Sequence, residues 1–130
     1  MNNDLFNMKK ELVFYENKWI YAALASYPVT KGHVVVVWKK KITDLHLMNH
    51  KDYTCLMNVV DMVRDSMLKT LKVKKVYLLY MDEAKHVHWH LIPRYNKIGL
   101  NVLRENPKPI KMKNKTYSLV KALKKNFKLK

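Results

Sequence analysis

The segment KHVHWHLIPRY, residues 85–95, carries a histidine at every second position: His86, His88 and His90. Side chains alternate between the two faces of a β-strand, so this spacing places three imidazoles on one face and apolar side chains on the other. Half of the six histidines in the chain lie in this one stretch. Since a row of imidazoles adds little to packing, the pattern predicts a strand with one buried face and a functional site on its opposite face.

The flanking segments predict further strands and one long helix. Alternating or β-branched stretches indicate strands at residues 11–16, 19–25, 33–38, 75–81 and 86–92. Over residues 52–71, apolar side chains recur at steps of three and four, which is typical of an amphipathic helix. We expect Pro93 to end the last strand or to leave it at a sheet edge, because proline has no N–H to donate. The prediction is an α+β fold, with one long helix packed across an antiparallel sheet of about five strands.

The composition changes after Tyr95, where lysines become frequent and two prolines lie close together. Further on, apolar residues fall roughly on one helical face and predict a final helix: Tyr117, Leu119, Val120, Leu123 and Phe127. We expect a single domain over residues 1–130, with its core at about 11–95 and a basic, partly helical C-terminal extension over 96–130. This extension either docks on the body or a partner, or it is a frayed basic tail.

The charge balance and the single cysteine bear on partners and location. The chain has 26 Lys plus Arg against 10 Asp plus Glu, a formal charge of +16, which attracts polyanions; alternatively, most lysines serve solubility. Cys55 excludes an internal disulfide and is predicted to pack within the helix. No stretch approaches the roughly twenty apolar residues that span a bilayer. We expect a soluble cytoplasmic protein with a phosphate-rich partner and no membrane partner.

Two chemistries use histidines at this spacing. A His-x-His pair on a strand can bind a metal such as zinc, with a third imidazole or a carboxylate completing the ligand set. Alternatively, a neutral imidazole nitrogen can attack phosphorus while neighbouring groups stabilise the developing charge. Spacing alone does not decide between them.

The residues also carry a family resemblance. HVHWHLI resembles the His-apolar-His-apolar-His-apolar-apolar signature of the histidine triad (HIT) family of nucleotide hydrolases and transferases, and it continues into PRY as in many hydrolase members. Upstream, PVTKGHVVVVWKKKITDL (28–45) is similar to the family's stretch in which a histidine, here His33, follows a proline by five residues and opens a strand. The resemblance covers about residues 11–95 and points to the dinucleoside polyphosphate hydrolase branch, the fragile histidine triad-like proteins.

The resemblance implies a HIT-like fold, a homodimer and a reaction at the α-phosphate of a nucleotide, such as a dinucleoside polyphosphate or a related adenylated compound. Carried over by position, it implies that His88 is the nucleophile and forms a covalent nucleotidyl intermediate. It implies that His90 and His33 contact phosphate oxygens, and that His86 positions the nucleophile and, itself or through a neighbour, helps protonate the leaving group. It implies no metal at the triad and no tightly bound cofactor, although a divalent cation can accompany a polyphosphate.

The sequence departs from the family pattern at two places. Ala25, with Ser26 beside it, stands where members commonly carry Asn or Asp for the ribose. The stretch MDEAK, residues 81–85, replaces a common Gly-Gln-Ser/Thr run, and its Asp82 and Glu83 would repel a phosphate that they faced. These departures concern contacts with the substrate and not the triad itself.

Other residues are candidates for binding the substrate. Ser26 is the polar group nearest the missing ribose contact, and two cations flank the triad, Lys85 before it and Arg94 after it. Each cation is alternatively a solvated surface charge. Trp89 shares the apolar face and is predicted to pack in the core. The aromatic residues of the first hairpin either line a purine pocket or pack within the sheet: Phe14, Trp19 and Tyr21.

Three functional hypotheses follow from the sequence. The first is an enzyme that passes a nucleoside monophosphate through His88. The second is a nucleic-acid-linked relative, in which residues 96–130 grip a phosphate backbone while the triad removes adenylate from a strand end, although the usual zinc-finger and single-strand-binding motifs are missing. The third is a non-catalytic protein that binds a nucleotide or a metal.

Overall fold

The computed structural model describes residues 8–104 and 106–130, and its strands form one five-stranded antiparallel sheet. The strands are β1 (Val13–Glu16), β2 (Ile20–Leu24), β3 (Val34–Trp38), β4 (Lys75–Leu79) and β5 (His88–Arg94). The helices are α1 (His50–Leu71) and α2 (Asn114–Asn126), with short 3₁₀ turns at Lys10–Leu12, Leu45–Leu47 and Gly99–Arg104. The strand order is β1-β2-β3-β5-β4, so the histidine-bearing β5 lies inside the sheet. The predicted α+β fold is confirmed.

The two faces of the sheet differ in composition because neighbouring strand residues point in opposite directions. One face meets α1 in the main core, which includes Val34, Val36 and Leu91 from the strands together with Leu56 and Met67 from the helix. The other face, here called the histidine face, carries a smaller apolar cluster of Ala25, Val35 and Val37, which is covered by Met8, Tyr21 and Ala84. The strand register places Val35 opposite His90 and Val37 opposite His88, so these four side chains share the histidine face.

Helix α1 begins two residues before the predicted start because Asn49 caps it. The Asn49 side chain accepts a hydrogen bond from the Asp52 N–H at 2.8 Å, which satisfies one of the first unpaired donors of the helix. Cys55 is exposed, so the prediction that it packs within the helix is wrong. It precedes the fully buried Leu56 by one residue, and one residue corresponds to a rotation of about 100° around the helix, away from the core.

Strand β5 continues through Pro93 to Arg94 and lies between β3 and β4, so the expectation that Pro93 ends the strand or leaves the strand at a sheet edge is wrong. The physical reason is that β5 extends beyond the end of its pairing with β3. Its pairing with β3 stops at Leu91, whereas its pairing with β4 extends to Arg94. Pro93 therefore has a ladder partner on one side only, and its carbonyl accepts a hydrogen bond from the Thr30 hydroxyl at 3.1 Å.

The C-terminal segment packs on the body of the molecule. Helix α2 lies against α1 and β1, with Leu123 buried and its carbonyl accepting a hydrogen bond from the Ser66 hydroxyl at 2.7 Å. The ring of Phe127 stacks on Tyr15 with centroids 4.4 Å apart. Before the helix, the Ile110 N–H donates to the Ser26 carbonyl at 2.8 Å, which ties the segment to the end of β2. Within the described part of the chain, neither helix is long and apolar enough to cross a membrane.

Candidate active site

Four histidines gather along the antiparallel pair of β3 and β5, in which the start of β5 lies beside the end of β3. His88 and His90 project from β5, while His33 directly precedes β3 and His86 precedes β5. The side chains of His33, His86 and His88 are buried, and that of His90 is half-buried. The structure thus brings together all four histidines that the sequence placed in the site.

Hydrogen bonds join three of these rings in series. The backbone N–H of Val29 lies 3.0 Å from Nδ1 of His33, whose Nε2 lies 2.9 Å from Nδ1 of His90. Nε2 of His90 lies 3.1 Å from Nε2 of His88, whose Nδ1 lies 2.8 Å from the backbone carbonyl of His86. A backbone N–H only donates and a carbonyl only accepts, so both ends of the series have a fixed direction.

The fixed ends assign one tautomer to every ring. His33 accepts at Nδ1 and donates from Nε2, and His90 in turn accepts at Nδ1 and donates from Nε2. His88 then accepts at Nε2 and donates its Nδ1 proton to the His86 carbonyl. Each of the three neutral rings uses one donor and one acceptor. Nε2 of His88 carries no proton, and its lone pair accepts the hydrogen bond from His90.

The electrostatic setting keeps these rings uncharged. Burial lowers the pKa of His33 from 6.5 to about 3, with His90 and His88 adding repulsion, and it lowers the pKa of His90 to about 4, with repulsion from His88. Burial also lowers the pKa of His88; the hydrogen bond to the His86 carbonyl and the carboxylates of Asp82 and Glu83 oppose that shift. At neutral pH the site therefore holds neutral imidazoles.

The ring of His86 is engaged elsewhere. Its Nε2 donates to the Trp38 carbonyl at 2.5 Å, which holds the end of β3 against the segment that leads into β5. Burial lowers the pKa of the His86 imidazole, and the hydrogen bond to Trp38 partly offsets this. What His86 offers to His88 in the hydrogen-bond series is its backbone carbonyl, a contribution that side-chain patterns in a sequence do not reveal.

The remaining predicted binding residues lie around the histidines. The Ser26 hydroxyl donates to Sδ of Met8 at 3.4 Å. Lys85 is exposed and has a left-handed φ of 53°, at the end of a turn closed by its N–H donating to the Asp82 carbonyl at 2.8 Å. Arg94 shares the strand face of His88 and His90 but lies four residues beyond His90, roughly 13 Å along the strand. The structure leaves Lys85 and Arg94 at the periphery.

The aromatic residues of the first hairpin lie in different parts of the structure. Phe14 is buried in the main core, and the exposed Trp19 stacks on Trp38 with centroids 6.1 Å apart, so the interpretation that these two line a purine pocket is wrong. Tyr21 lies on the histidine face and lines a cleft of about 370 Å³ together with Val37 and His86. Trp89 packs against the core as predicted, with its ring centroid 5.2 Å from that of Tyr80.

An apolar floor lies beside the histidines and was not predicted from the sequence. Val35 and Val37 form this floor with Ala25. The available signal was parity, because both valines have the same parity as His33 in HVVVVW and therefore share its face.

The loop between β4 and β5 reaches the histidine face. Ala84 packs on the apolar floor, and the carboxylates of Asp82 and Glu83 oppose the lowering of the His88 pKa by burial. Across residues 8–104 and 106–130, no three His, Cys, Asp or Glu side chains converge in a way that could hold a metal ion.

A five-stranded antiparallel sheet with a long helix on one face and a hydrogen-bonded histidine series on the other defines the class of histidine triad proteins. This chain belongs to the HIT family: the family model described as HIT domain matches residues 7–97. The resemblance drawn from the sequence is confirmed.

Similar proteins extend this finding. The Bis(5'-adenosyl)-triphosphatase of Saccharomyces cerevisiae is 26% identical over 114 residues, which cover 76% of this chain and 54% of that protein. The chain thus spans about half the length of the curated relatives that it matches first. A histidine triad nucleotide-binding protein of Sulfolobus tokodaii, described as hypothetical, has a solved structure with a TM-score of 0.74 at 21% identity, covering 95% of this chain and 88% of that one. Diadenosine triphosphate hydrolase of Plasmodium falciparum gives a TM-score of 0.69 at 17% identity, covering 91% and 77%. These two structures show a shared fold.

Proposed function

We propose that this protein is a nucleotide hydrolase or nucleotidyltransferase that acts at an α-phosphate through a covalent nucleotidyl intermediate on His88. The observation that carries the proposal is the pair of contacts made by His88: its Nδ1 lies 2.8 Å from the His86 carbonyl and its Nε2 lies 3.1 Å from Nε2 of His90. This geometry assigns the proton to Nδ1 and a lone pair to Nε2. A neutral imidazole in this form is the species that attacks phosphorus.

In the proposed first step, Nε2 of His88 forms a bond to the α-phosphorus while the bond from phosphorus to the bridging oxygen breaks. The bridging oxygen leaves with the electron pair and takes a proton, for which His86 or a neighbouring group is the candidate donor. In the second step, water or another acceptor attacks the phosphorus and gives its proton to the group that protonated the leaving oxygen, and the P–N bond to His88 breaks, which releases the nucleoside monophosphate and restores the imidazole.

His90 and His33 have supporting roles in this scheme. The Nε2–H of His90 points at Nε2 of His88 in the structure, and we propose that it donates to an oxygen of the α-phosphate once substrate enters. A fixed donor at that point stabilises the negative charge that develops on the phosphate. His33 acts by holding His90 in the donating tautomer and by lining the phosphate site.

A dinucleoside polyphosphate or a related adenylated compound is the proposed substrate. The support comes from the similarity to a protein named Bis(5'-adenosyl)-triphosphatase, from the +16 charge and from the apolar floor, which suits a nucleobase. Ser26, Lys85 and Arg94 are proposed to bind the substrate. No tightly bound cofactor is proposed. A divalent cation accompanying the phosphates would offset their repulsion by Asp82 and Glu83.

We also propose a single cytoplasmic domain over residues 1–130 that forms a homodimer. Strand β4 is an edge of the sheet, and Leu78 on it is 43% exposed. Two further apolar side chains that follow β5, Ile98 and Leu100, are 59% and 80% exposed. Open strand edges and exposed apolar side chains are features that a second copy would cover.

Intact-mass spectrometry tests the function directly. The protein is mixed briefly with a panel of adenylated compounds under conditions that preserve phosphoramidate bonds, alongside His88→Ala and the control His50→Ala, which removes an exposed histidine at the start of α1. We expect the mass of one nucleoside monophosphate to be added to the wild type and to His50→Ala, and not to His88→Ala. Finding neither an adduct nor turnover with any compound would contradict the proposed catalytic function and favour a non-catalytic protein.

A further inference from the structure

The geometry points to a second anion site: we propose that a lysine-lined cleft beside His33 binds a chain of condensed phosphates. The cleft lies between the β2–β3 connection and the C-terminal segment that leads into α2, and its volume is about 620 Å³. Its lining includes His33 and five lysines, Lys31, Lys108, Lys111, Lys113 and Lys115. The claim that the cleft binds phosphate is independent of the proposed function. The further claim that it holds the distal phosphates of a substrate rests on the proposed function.

Hydrogen bonds fix the backbone on both walls of the cleft. The Ile110 N–H donates to the Ser26 carbonyl at 2.8 Å, and the Thr116 hydroxyl donates to the Lys111 carbonyl at 2.5 Å, which shapes the C-terminal wall. On the opposite wall, the Tyr95 hydroxyl donates to the Lys31 carbonyl at 2.6 Å. The lysines are therefore carried by a backbone that is tied down at several points.

Charge selects the class of ligand. Among the described residues that line the cleft, none is acidic. In the described part of the chain, the lysines that form ion pairs are Lys39 and Lys130 and none of the five that line the cleft. Five ammonium groups around one cavity, with no acidic partner among the described lining residues, repel each other, and a polyanion would relieve that repulsion.

The N-terminus of α2 adds to the positive electrostatic potential of the cleft. Its N-cap residue is Lys113, which makes no side-chain cap, and no acidic residue lies in the first turn. A lysine has no acceptor atom, so the first N–H groups of the helix lack the usual side-chain partner at the mouth of the cleft. The partial positive charge of a helix N-terminus is a further attraction for phosphate.

The lining favours a condensed phosphate chain over a nucleic-acid strand. Apart from the imidazole of His33, no aromatic side chain is present among the described lining residues. Proteins that hold single strands rely on aromatic rings on which the bases stack, and this cleft offers none. Its volume falls within the range of small-ligand sites, roughly 300–1,000 Å³.

His33 connects the cleft with the triad. It lines the cleft and its Nε2 donates to His90, which is the neighbour of the proposed nucleophile. A substrate whose α-phosphate lies at His88 could therefore extend its remaining phosphates along His33 into the cleft. Longer phosphate chains should then bind more tightly than shorter ones.

Calorimetric titration with inorganic tripolyphosphate tests the site without any turnover. The cleft variant is Lys111→Gln with Lys113→Gln, and the control, Lys51→Gln with Lys128→Gln, removes the same charge from two exposed lysines that do not line the cleft. We expect wild type and control to bind alike, and the cleft variant to bind about tenfold more weakly, since two charge-assisted contacts are lost. A second pair, Lys108→Gln with Lys115→Gln, repeats the test if the first variant unfolds.

The outcomes separate this inference from the proposed function. Equal binding by all proteins, or equal weakening in cleft and control variants, overturns the inference. Binding of a thymidine oligonucleotide that depends on the cleft lysines, with no binding of tripolyphosphate, also overturns it and assigns the cleft to nucleic acid. Cleft-dependent tripolyphosphate binding without hydrolysis of any nucleotide supports the inference and contradicts the proposed function. Hydrolysis with the same KM in wild type and cleft variant for diadenosine tri- and pentaphosphate contradicts the substrate part of the inference alone.

Discussion

The helix-covered face of the sheet and its histidine face are made by alternate positions of the same strands, β3 and β5. On the helix side, Val36 and Leu91 meet apolar side chains from α1, and burial alone stabilises them. On the histidine side, burial opposes charge on the imidazoles, and hydrogen bonds between rings compensate for the lost contact with water. The helix-covered face therefore stabilises the fold, while the histidine face keeps the imidazoles neutral and in fixed tautomers. Substitutions on the helix-covered face should lower stability, and substitutions on the histidine face should lower activity.

The largest effect is expected for His88→Ala. Its kcat/KM should fall by roughly 10³-fold or more, because the atom that bonds to phosphorus is removed. Steady-state hydrolysis and thermal unfolding measured on the same samples would check this, and the loss of activity should far exceed any loss of folded protein. An active His88→Ala protein would contradict the role of His88.

The reverse pattern is expected on the helix side. Leu56→Ala removes a fully buried side chain of α1 and should lower the free energy of unfolding by about 3 kcal/mol, with kcat/KM of the folded protein unchanged. The neighbouring exposed residue supplies the control, since Cys55→Ala should change stability by less than about 0.5 kcal/mol. Urea unfolding gives both values. A loss of activity in folded Leu56→Ala would show that the two faces are not separable.

The pH dependence of stability should expose the buried imidazole of His33. Its pKa is 6.5 when unfolded and about 3 when folded, so below pH 6.5 the unfolded state binds a proton that the folded state does not. Stability is then lost as the pH falls from 6.5 toward 3. Between pH 7 and 5, the wild type should lose about 2 kcal/mol more than His33→Gln. Parallel pH profiles of the two proteins would contradict this.

The smallest effect on activity is expected for substitutions in the loop between β4 and β5. The carboxylates of Asp82 and Glu83 raise the pKa of His88, so Asp82→Asn with Glu83→Gln should lower it. The acidic limb of the kcat/KM profile, where His88 becomes protonated, should then move to lower pH. An unchanged limb, or one that moves to higher pH, would show that these carboxylates do not act on the nucleophile.

Much of the fold was predictable because it depends on local periodicity. The alternation in HVHWHLI and the three- and four-residue steps over 52–71 are read within one element, and the structure has a strand and a helix there. Pro93 and Cys55 were misjudged for the opposite reason. The place of Pro93 depends on where β3 ends beside β5, and the exposure of Cys55 depends on which side of α1 meets the sheet.

The candidate site likewise has features that the sequence predicted and features that only the structure revealed. The parity of His86, His88 and His90 placed them on one face, while the family resemblance added His33. Sequence did not show that the His86 carbonyl and the Val29 N–H close the two ends of the imidazole series, because backbone groups leave no trace in side-chain patterns. Nor did it show that Phe14 turns into the core while Tyr21 stays on the histidine face.

By itself, the sequence determined the order of strands and helices, the chemical character of each face and the membership of the HIT family. Only the tertiary structure decided which nitrogen of His88 carries the proton, how far burial depresses the pKa of His33, and where the lysines of the C-terminal segment gather. The reason is physical: periodicity is a property of neighbours along the chain, whereas desolvation, hydrogen-bond direction and charge clustering are set by groups that meet only after folding.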